Sequence, residues 1–97
     1  MSLKLADGTM ARFDGIAKKA DGTFEIIEAK MGGGKLTDNQ RAVLNALKNN
    51  ETITAVGENA EKIFGAGSSG TNVLNKLTKS VNLNNVTQTV EEVLTNR

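Results

Sequence analysis

The 97-residue chain contains no histidine, cysteine, proline, tryptophan or tyrosine. Without histidine, Ser-His-Asp and Cys-His catalysis are excluded, and so are histidine-dependent nucleases of the HNH type. Without cysteine, the chain has no disulfide bonds and no thiolate sites for zinc or iron–sulfur clusters. Any chemistry must therefore rest on carboxylates, lysines, hydroxyls, amides, backbone groups or a metal ion bound by oxygen atoms.

The sequence also has few aromatic residues and a low net charge. Three phenylalanines are too few for a surface that stacks single-stranded bases. Twelve basic and eleven acidic residues give a net charge of +1, far below that of a passive nucleic-acid binder, although residues 1–50 carry eight basic against six acidic residues. No apolar run approaches the ~20 residues of a membrane span and no signal peptide is visible, so we expect one small domain without a membrane segment.

The tetrapeptide Ala-Asp-Gly-Thr occurs at residues 6–9 and 20–23 and predicts two hairpin turns. We therefore expect three antiparallel strands at about 2–5, 9–18 and 23–31. These strands open an α+β fold, which continues with a helix from the cap residue Thr37 to Lys48, a strand at 52–56 and a helix at 58–64.

The register of the second hairpin decides which side chains meet. A three-residue loop ending at Gly22 places Asp14 opposite Glu28, whereas a two-residue loop places Asp14 opposite Ala29. The turn chemistry permits both registers. We prefer the first because it also sets Ile16 against Ile26 on one face.

The last third of the sequence suggests a link at 65–71 and then a helical segment, with helices at about 71–80 and 86–95. This divides the chain into a core at 1–64, the link, and a segment at 72–97 that packs on the core or binds a partner. A partner-binding or self-associating stripe would consist of Val86, Val90, Val93 and Leu94.

Two glycine-rich stretches resemble nucleotide-binding loops only superficially. Gly65 to Gly70 has the dinucleotide-binding G-x-G-x-x-G spacing, but it follows a helical pattern instead of a strand, so a linker is the better interpretation. The stretch Gly32–Lys35 lacks the early glycine and the Ser or Thr of a P-loop. Its position before a helix still leaves backbone N–H groups as a phosphate-binding alternative.

Asp14, Glu28, Lys30 and Gln40 form the strongest candidate site. Glu28 and Lys30 share one face of a strand, and the preferred register brings Asp14 to within about 5 Å of Glu28 at Cβ. Two carboxylates this close repel each other unless a cation lies between them, and an all-oxygen site suits Mg²⁺ or Mn²⁺. Lys30 would then orient or help deprotonate an attacking water, as in phosphodiester hydrolysis.

A structural interpretation of the same residues remains open. Glu28 and Lys30 would be solvated charges, and Asp14 would pair with Arg12 or Lys30. Gln40 would serve only the capping box of the helix, although both roles can coexist. Against this, Ile26, Ile27 and Ala29 make the strand apolar on both faces, which is typical of a covered strand where charges need a partner.

The sequences Arg12-Phe13-Asp14, Glu28-Ala29-Lys30-Met31-Gly32 and Leu36-Thr37-Asp38-Asn39-Gln40 resemble the core of the PD-(D/E)xK nuclease superfamily. They are most similar to nuclease toxin domains at the C-termini of bacterial polymorphic toxins, including contact-dependent inhibition and Rhs effectors. The resemblance covers about residues 9–56. It implies a restriction-endonuclease-like βββαβ core in which Asp14 and Glu28 hold the metal, Lys30 serves the water and Gln40 assists.

The resemblance also has departures. The family core is usually αβββαβ, and its first helix often supplies another acidic residue, whereas this sequence begins almost directly on a strand. Either that helix has been trimmed or lost, or residues of the C-terminal helices replace it.

The first functional hypothesis is therefore a metal-dependent endonuclease, with DNA as the first substrate and tRNA as the second. Its candidate phosphate contacts are Arg12, Lys18, Lys19 and Lys35. The toxin resemblance further implies a cognate immunity protein, action in the cytoplasm and delivery as part of a larger secreted protein. The second hypothesis is a non-catalytic nuclease fold used for binding or assembly, and the third is a dinucleotide-binding domain that uses Gly65–Gly70.

Overall fold

A computed structural model of the protein describes residues 1–29 and 34–95. The described residues form a mixed α+β domain with two β-sheets. The strands are β1 (Ser2–Leu5), β2 (Met10–Arg12), β3 (Gly15–Lys18), β4 (Phe24–Glu28), β5 (Ile53–Val56), β6 (Leu77–Leu83) and β7 (Val86–Thr89). The helices are α1 (Asp38–Lys48), α2 (Glu58–Phe64) and α3 (Val90–Thr95), with a short 3₁₀ turn at Leu74–Lys76.

The first sheet is antiparallel, with strand order β2-β1-β5. The second sheet has the order β3-β4-β6-β7 and is mixed, because β4 and β6 run parallel while the other neighbours run antiparallel. Leu3 of the first sheet, Ile26 and Val81 of the second, and Leu44 of α1 all lie in one apolar core.

The predicted strand at 9–18 divides into β2 and β3, which belong to different sheets. The division falls at Phe13 and Asp14, where the backbone of Phe13 still bonds to the first sheet. Its N–H donates to the carbonyl of Met1 at 2.8 Å, and its carbonyl accepts from the amino group of Met1 at 3.0 Å. The buried Phe13 ring anchors this crossover in the core.

The preferred register of the second hairpin is confirmed. Ile16 pairs with Ile26, and the N–H of Lys19 donates to the carbonyl of Thr23 at 2.7 Å. Gly22 has a φ of +89°, the left-handed conformation that a three-residue loop requires at its last position.

Helix α1 begins as predicted. The Thr37 hydroxyl accepts from the N–H of Gln40 at 3.0 Å, and the Gln40 side-chain oxygen accepts from the N–H of Thr37 at 2.9 Å. This capping box orients the apolar stripe of the helix toward the first sheet. The predicted strand near 52–56 and helix at 58–64 are also confirmed as β5 and α2.

The predicted helix at 71–80 is wrong, because most of it is the 3₁₀ turn and the start of β6. The predicted helix at 86–95 is confirmed only for its second part, α3, since its first four residues form β7. In β6, Leu77 and Val81 are buried at an even spacing, the strand period, and Val81 packs beside Ile26 of the parallel strand β4. Asn84 and Asn85, with φ of +51° and +66°, form the tight turn between β6 and β7.

The predicted association stripe is used within the chain itself. Val90 and Val93 are buried in the core and Leu94 packs against it, while Val86 remains 56% exposed. The predicted link is also hydrogen-bonded to the rest of the fold: the N–H of Gly70 donates to the carbonyl of Ala55 at 2.7 Å. None of the helices in residues 1–29 and 34–95 is long and apolar enough to cross a bilayer.

Candidate functional site

Asp14 and Glu28 lie beside each other where β3 begins and β4 ends. The backbone N–H of Asp14 donates to Oε1 of Glu28 at 3.0 Å. In the other direction, Oδ2 of Asp14 accepts from the backbone N–H of Ala29 at 2.8 Å. Each carboxylate is therefore fixed against the backbone of the opposite strand, at one edge of the second sheet.

The change of sheets at Phe13 explains these two hydrogen bonds. In a continued β3–β4 ladder, the Phe13 carbonyl would accept the N–H of Ala29, but this carbonyl already accepts from Met1. Asp14 supplies the acceptor that Ala29 would otherwise lack, and Glu28 does the same for the N–H of Asp14. The two side chains thus accept the backbone N–H groups left without a ladder partner where the chain passes from the first sheet to the second.

The two carboxylates differ in exposure. Glu28 is 5% exposed, whereas Asp14 is exposed to solvent. A buried carboxylate needs hydrogen bonds or a positive charge to offset its lost hydration. The arrangement thus combines one shielded and one solvent-accessible carboxylate.

Gln40 contacts the strand that leads to this edge. Its Nε2 donates to the carbonyl of Arg12 at 2.8 Å, while its Oε1 takes part in the capping box. The side chain is 4% exposed. Gln40 therefore ties the N-terminus of α1 to the residue two positions before Asp14.

Lys30 lies outside the described residues, so its place relative to Asp14 and Glu28 rests on the sequence alone. The four predicted phosphate contacts, Arg12, Lys18, Lys19 and Lys35, are all exposed. Lys18 lies four residues along β3 from Asp14, roughly 13 Å away. Lys19 is already paired with Glu25, with 3.4 Å between Nζ and Oε2. Arg12 is therefore the predicted cation nearest to Asp14 along the chain.

The turn between β6 and β7 reaches the same edge, which sequence reasoning missed. The backbone N–H of Asn84 donates to the carbonyl of Glu28 at 3.2 Å. The consecutive asparagines at 84 and 85 are a turn signal that a helix–link–helix interpretation of this segment left unused.

The glycine-rich loop at 65–70 is not built as a dinucleotide site. It follows helix α2, whereas that interpretation requires a preceding strand. Its backbone N–H groups are also engaged, since Ser69 and Gly67 donate to the Glu61 carboxylate at 2.9 and 3.0 Å. These bonds, Ser69 first, hold the pKa of Glu61 below its ordinary value. An internal carboxylate thus stands where a phosphate would bind.

A second acidic side chain is buried in the same sheet. Glu25 of β4 is 7% exposed and accepts from the hydroxyls of Ser80 at 2.6 Å and Thr87 at 3.3 Å. Glu28 lies three positions after Glu25, an odd offset, so the two side chains point to opposite faces of β4. Glu25 therefore belongs to a cross-strand polar network and not to the Asp14–Glu28 edge.

A cleft of about 410 Å³ lies between α1 and α3. Its lining includes Arg41, whose guanidinium donates to the carbonyl of Leu94 at 3.0 Å, together with Asn45 and Lys48. Neither Asp14 nor Glu28 lines it. The candidate site therefore lies away from this cleft.

Within the described part of the chain, no three or more acidic side chains converge as a metal-binding group. The described part of the candidate site is a pair of carboxylates, Asp14 and Glu28. Comparison of the chain with protein-family models, curated proteins and solved structures gave no match.

Proposed function

We propose that the protein is a metal-dependent nuclease that hydrolyses phosphodiester bonds, as its resemblance to PD-(D/E)xK toxin domains implies. The observation that carries this proposal is the register of the second hairpin, which places Asp14 beside Glu28. The match of Ile16 with Ile26 favours the same register independently of any resemblance.

The donor set fits Mg²⁺ or Mn²⁺. Asp14 and Glu28 offer only oxygen atoms, the ligands that these hard cations prefer. A carboxylate has about four lone-pair positions, so each can bind a cation while it keeps its backbone hydrogen bond. Those hydrogen bonds orient the two carboxylates, in the way that outer partners orient metal ligands elsewhere.

A bound divalent cation would supply Lewis-acid stabilisation of the phosphate and a more acidic water. The residues of the chain have separate tasks around it. Asp14 and Glu28 hold the cation, and Lys30 orients or helps deprotonate the attacking water. Gln40 acts as a positioning residue, because its amide fixes the carbonyl of Arg12 beside Asp14.

DNA is the first proposed substrate and tRNA the second. Arg12 is proposed to contact a backbone phosphate, with Lys18, Lys19 and Lys35 as more distant contacts. By resemblance to polymorphic toxins, the activity would be exerted in the cytoplasm after delivery in a larger protein, and an immunity protein would block the site.

A cleavage assay tests this proposal. Supercoiled plasmid and tRNA are incubated with the protein and Mg²⁺ or Mn²⁺, with EDTA as the metal-free control. We expect Asp14→Asn and Glu28→Gln to reduce cleavage by more than about 100-fold, because loss of a ligand exceeds the usual effect of losing an outer partner. Glu51→Gln, which neutralises an exposed acid elsewhere, should cleave like the wild type. If plasmid and tRNA both remain uncut with Mg²⁺ and also with Mn²⁺, the proposal of a nuclease is refuted.

The second candidate is a non-catalytic module that binds nucleic acid or protein. It is favoured by the hydrogen bonds of Asp14 and Glu28, which already give both carboxylates a structural task at the crossover between sheets. This candidate predicts that Asp14→Asn and Glu28→Gln fold normally. It also predicts that the wild type shows no metal-dependent cleavage.

A further inference from the structure

We propose that DNA lies across the outer face of the first sheet, where Lys4 and Arg12 contact neighbouring phosphates of its backbone. This inference rests on the proposed function, since it takes DNA as the substrate, and it assigns the path by which DNA reaches Asp14. It requires no metal ion, because contacts between basic side chains and phosphates form with or without one.

The register of β1 and β2 places both cations on one face of the sheet. Arg12 pairs directly with Ser2, so these two side chains share a face. Lys4 lies two residues after Ser2 on β1 and therefore shares that face as well. Leu3, between them, points the opposite way and is buried in the core. Lys4 and Arg12 are exposed, so this outer face carries them into solvent.

The outer face carries positive charge without any negative charge. The side chains that its three strands direct outward, all of them in the described part of the chain, are Ser2, Lys4, Met10, Arg12, Thr54 and Val56. None of these is acidic. Within residues 1–29 and 34–95, neither Lys4 nor Arg12 forms an ion pair, whereas Lys19 pairs with Glu25. Both cations can therefore bind an external anion without giving up an internal one.

The spacing of the two cations suits an extended polyanion. Lys4 and Arg12 are diagonal neighbours in the ladder between β1 and β2, which places them roughly 7–8 Å apart. Two like charges at this distance repel each other, and a phosphate backbone that passes over both removes that repulsion. The face is thus complementary in charge to a strand of DNA.

The outer face also leads to the candidate site. Arg12 precedes Asp14 by two residues, so at most roughly 7 Å of chain separates them. The backbone of Arg12 is fixed, because its carbonyl accepts from the buried amide of Gln40 at 2.8 Å. The strand that carries Lys4 is paired on both sides, with β2 and β5. A DNA strand at Asp14 therefore continues over Arg12 and Lys4, which are held by ordered backbone.

DNA fits this face better than a lipid surface does. Segments that bind anionic membranes combine their basic residues with a broad apolar surface. Met10, 47% exposed, is the one large apolar side chain exposed on this face. The face has no aromatic side chain on which a base could stack, so its contacts are with phosphates and should not depend on the base sequence.

Fluorescence anisotropy with a labelled DNA duplex tests this path, in EDTA and at several salt concentrations. We expect Lys4→Gln and Arg12→Gln each to reduce the steepness of the salt dependence of log affinity by about 1, equally for duplexes of two unrelated sequences. Lys4→Arg keeps the charge and should bind like the wild type. Circular dichroism spectra verify that each variant is folded.

Lys48 provides the matched control. It is an exposed lysine at the last position of α1, roughly 12 Å along the helix from Gln40, which contacts Arg12. Lys48→Gln should therefore leave the salt dependence unchanged. Equal reductions in Lys48→Gln and Lys4→Gln would indicate a response to net charge alone and would overturn the inference.

The remaining results separate this inference from the proposed function. An unchanged salt dependence in Lys4→Gln would mean that DNA does not cross the sheet, even if Arg12→Gln has an effect. Binding of the wild type to phosphatidylserine vesicles but not to DNA would also overturn the inference. If DNA binds through Lys4 but is not cleaved with Mg²⁺ or Mn²⁺, the nuclease fails and the path stands. If DNA is cleaved and Lys4→Gln binds like the wild type, the path fails and the nuclease stands.

Discussion

Asp14 and Glu28 are joined through the backbone: the Asp14 N–H donates to the Glu28 carboxylate at 3.0 Å, and the Asp14 carboxylate accepts the next N–H of β4. These bonds hold both carboxylates in place before any ligand arrives. They also give the pair a structural task that is chemically separable from metal binding, because an amide can accept the same hydrogen bonds but is a weaker ligand.

The first prediction uses this separation at Asp14. Asp14→Ala leaves the N–H of Ala29 without its acceptor and should lower the free energy of unfolding by about 1 kcal/mol. Asp14→Asn keeps an oxygen acceptor and should stay within about 0.5 kcal/mol of the wild type. Urea denaturation of both variants measures the difference. Equal losses in the two would mean that charge, and not the hydrogen bond, stabilises this edge.

The second prediction concerns Gln40, whose amide satisfies two backbone groups. Gln40→Ala leaves the carbonyl of Arg12 and the N–H of Thr37 without their partner, so we expect a loss of about 2 kcal/mol in urea denaturation. Gln40→Glu keeps the acceptor for Thr37 but sets a carboxylate against the Arg12 carbonyl, and it should also destabilise the fold.

Asn39 provides the matched control for Gln40. Its Nδ2 donates to the carbonyl of Met10 at 2.9 Å from the same helix to the same strand, but on an exposed surface. Asn39→Ala should therefore cost no more than about 0.5 kcal/mol. If it costs as much as Gln40→Ala, burial is not the reason for the importance of Gln40.

The relation between Asp14 and Glu28 was predictable because the information lies within one hairpin. Gly22 accepts the left-handed turn position, and the match of Ile16 with Ile26 selects between two registers. The capping box of α1 was equally local, since Thr37 and Gln40 are three residues apart. Both features depend on residues that are close in sequence.

Strands β6 and β7 were not predicted, because the decisive partner of β6 is distant in the sequence. The spacing of Val73, Leu74 and Leu77 fits a helix, yet Leu77 and Val81 also fit a strand, and only pairing with β4 decides between them. That strand lies about fifty residues earlier. The place of Asn84 beside Glu28 depends on the same parallel pairing, so the hairpin motif alone gave no indication of it.

The third prediction ranks the partners of the buried Glu25. Ser80 donates to it at 2.6 Å from inside the sheet, whereas Lys19 pairs with it at 3.4 Å and has a 40% exposed side chain. Ser80→Ala should cost about 1.5 kcal/mol or more, because the hydrogen bond is short, charged and partly buried. Lys19→Ala should cost no more than about 0.5 kcal/mol, as exposed ion pairs usually do.

Urea denaturation at low and high salt distinguishes the two contributions to Glu25. The small effect of Lys19→Ala should shrink further at high salt, while that of Ser80→Ala should persist. A larger loss for Lys19→Ala than for Ser80→Ala would contradict this ranking. A small loss of stability in Lys19→Ala would mean that the ion pair with Glu25 is weak. Lys19 could then leave Glu25 and contact a phosphate when nucleic acid binds.

The fourth prediction concerns the pH dependence of the loop at 65–70. Hydrogen bonds from Ser69 and Gly67 lower the pKa of Glu61 in the folded state. A folded-state pKa below the unfolded value stabilises the fold above the unfolded pKa, and this contribution is lost as the pH falls through the folded value. The loop should therefore keep its hydrogen bonds at neutral and mildly acidic pH and loosen only below the ordinary pKa range of glutamate.

Amide nuclear magnetic resonance tests this directly. The N–H signals of Gly67 and Ser69 should shift together with a midpoint below the ordinary glutamate pKa, because both groups donate to the carboxylate that titrates. Glu61→Gln retains an oxygen acceptor but cannot titrate, so the same signals should lose this transition. A midpoint at or above the ordinary value, or an unchanged transition in Glu61→Gln, would show that another acid controls the loop.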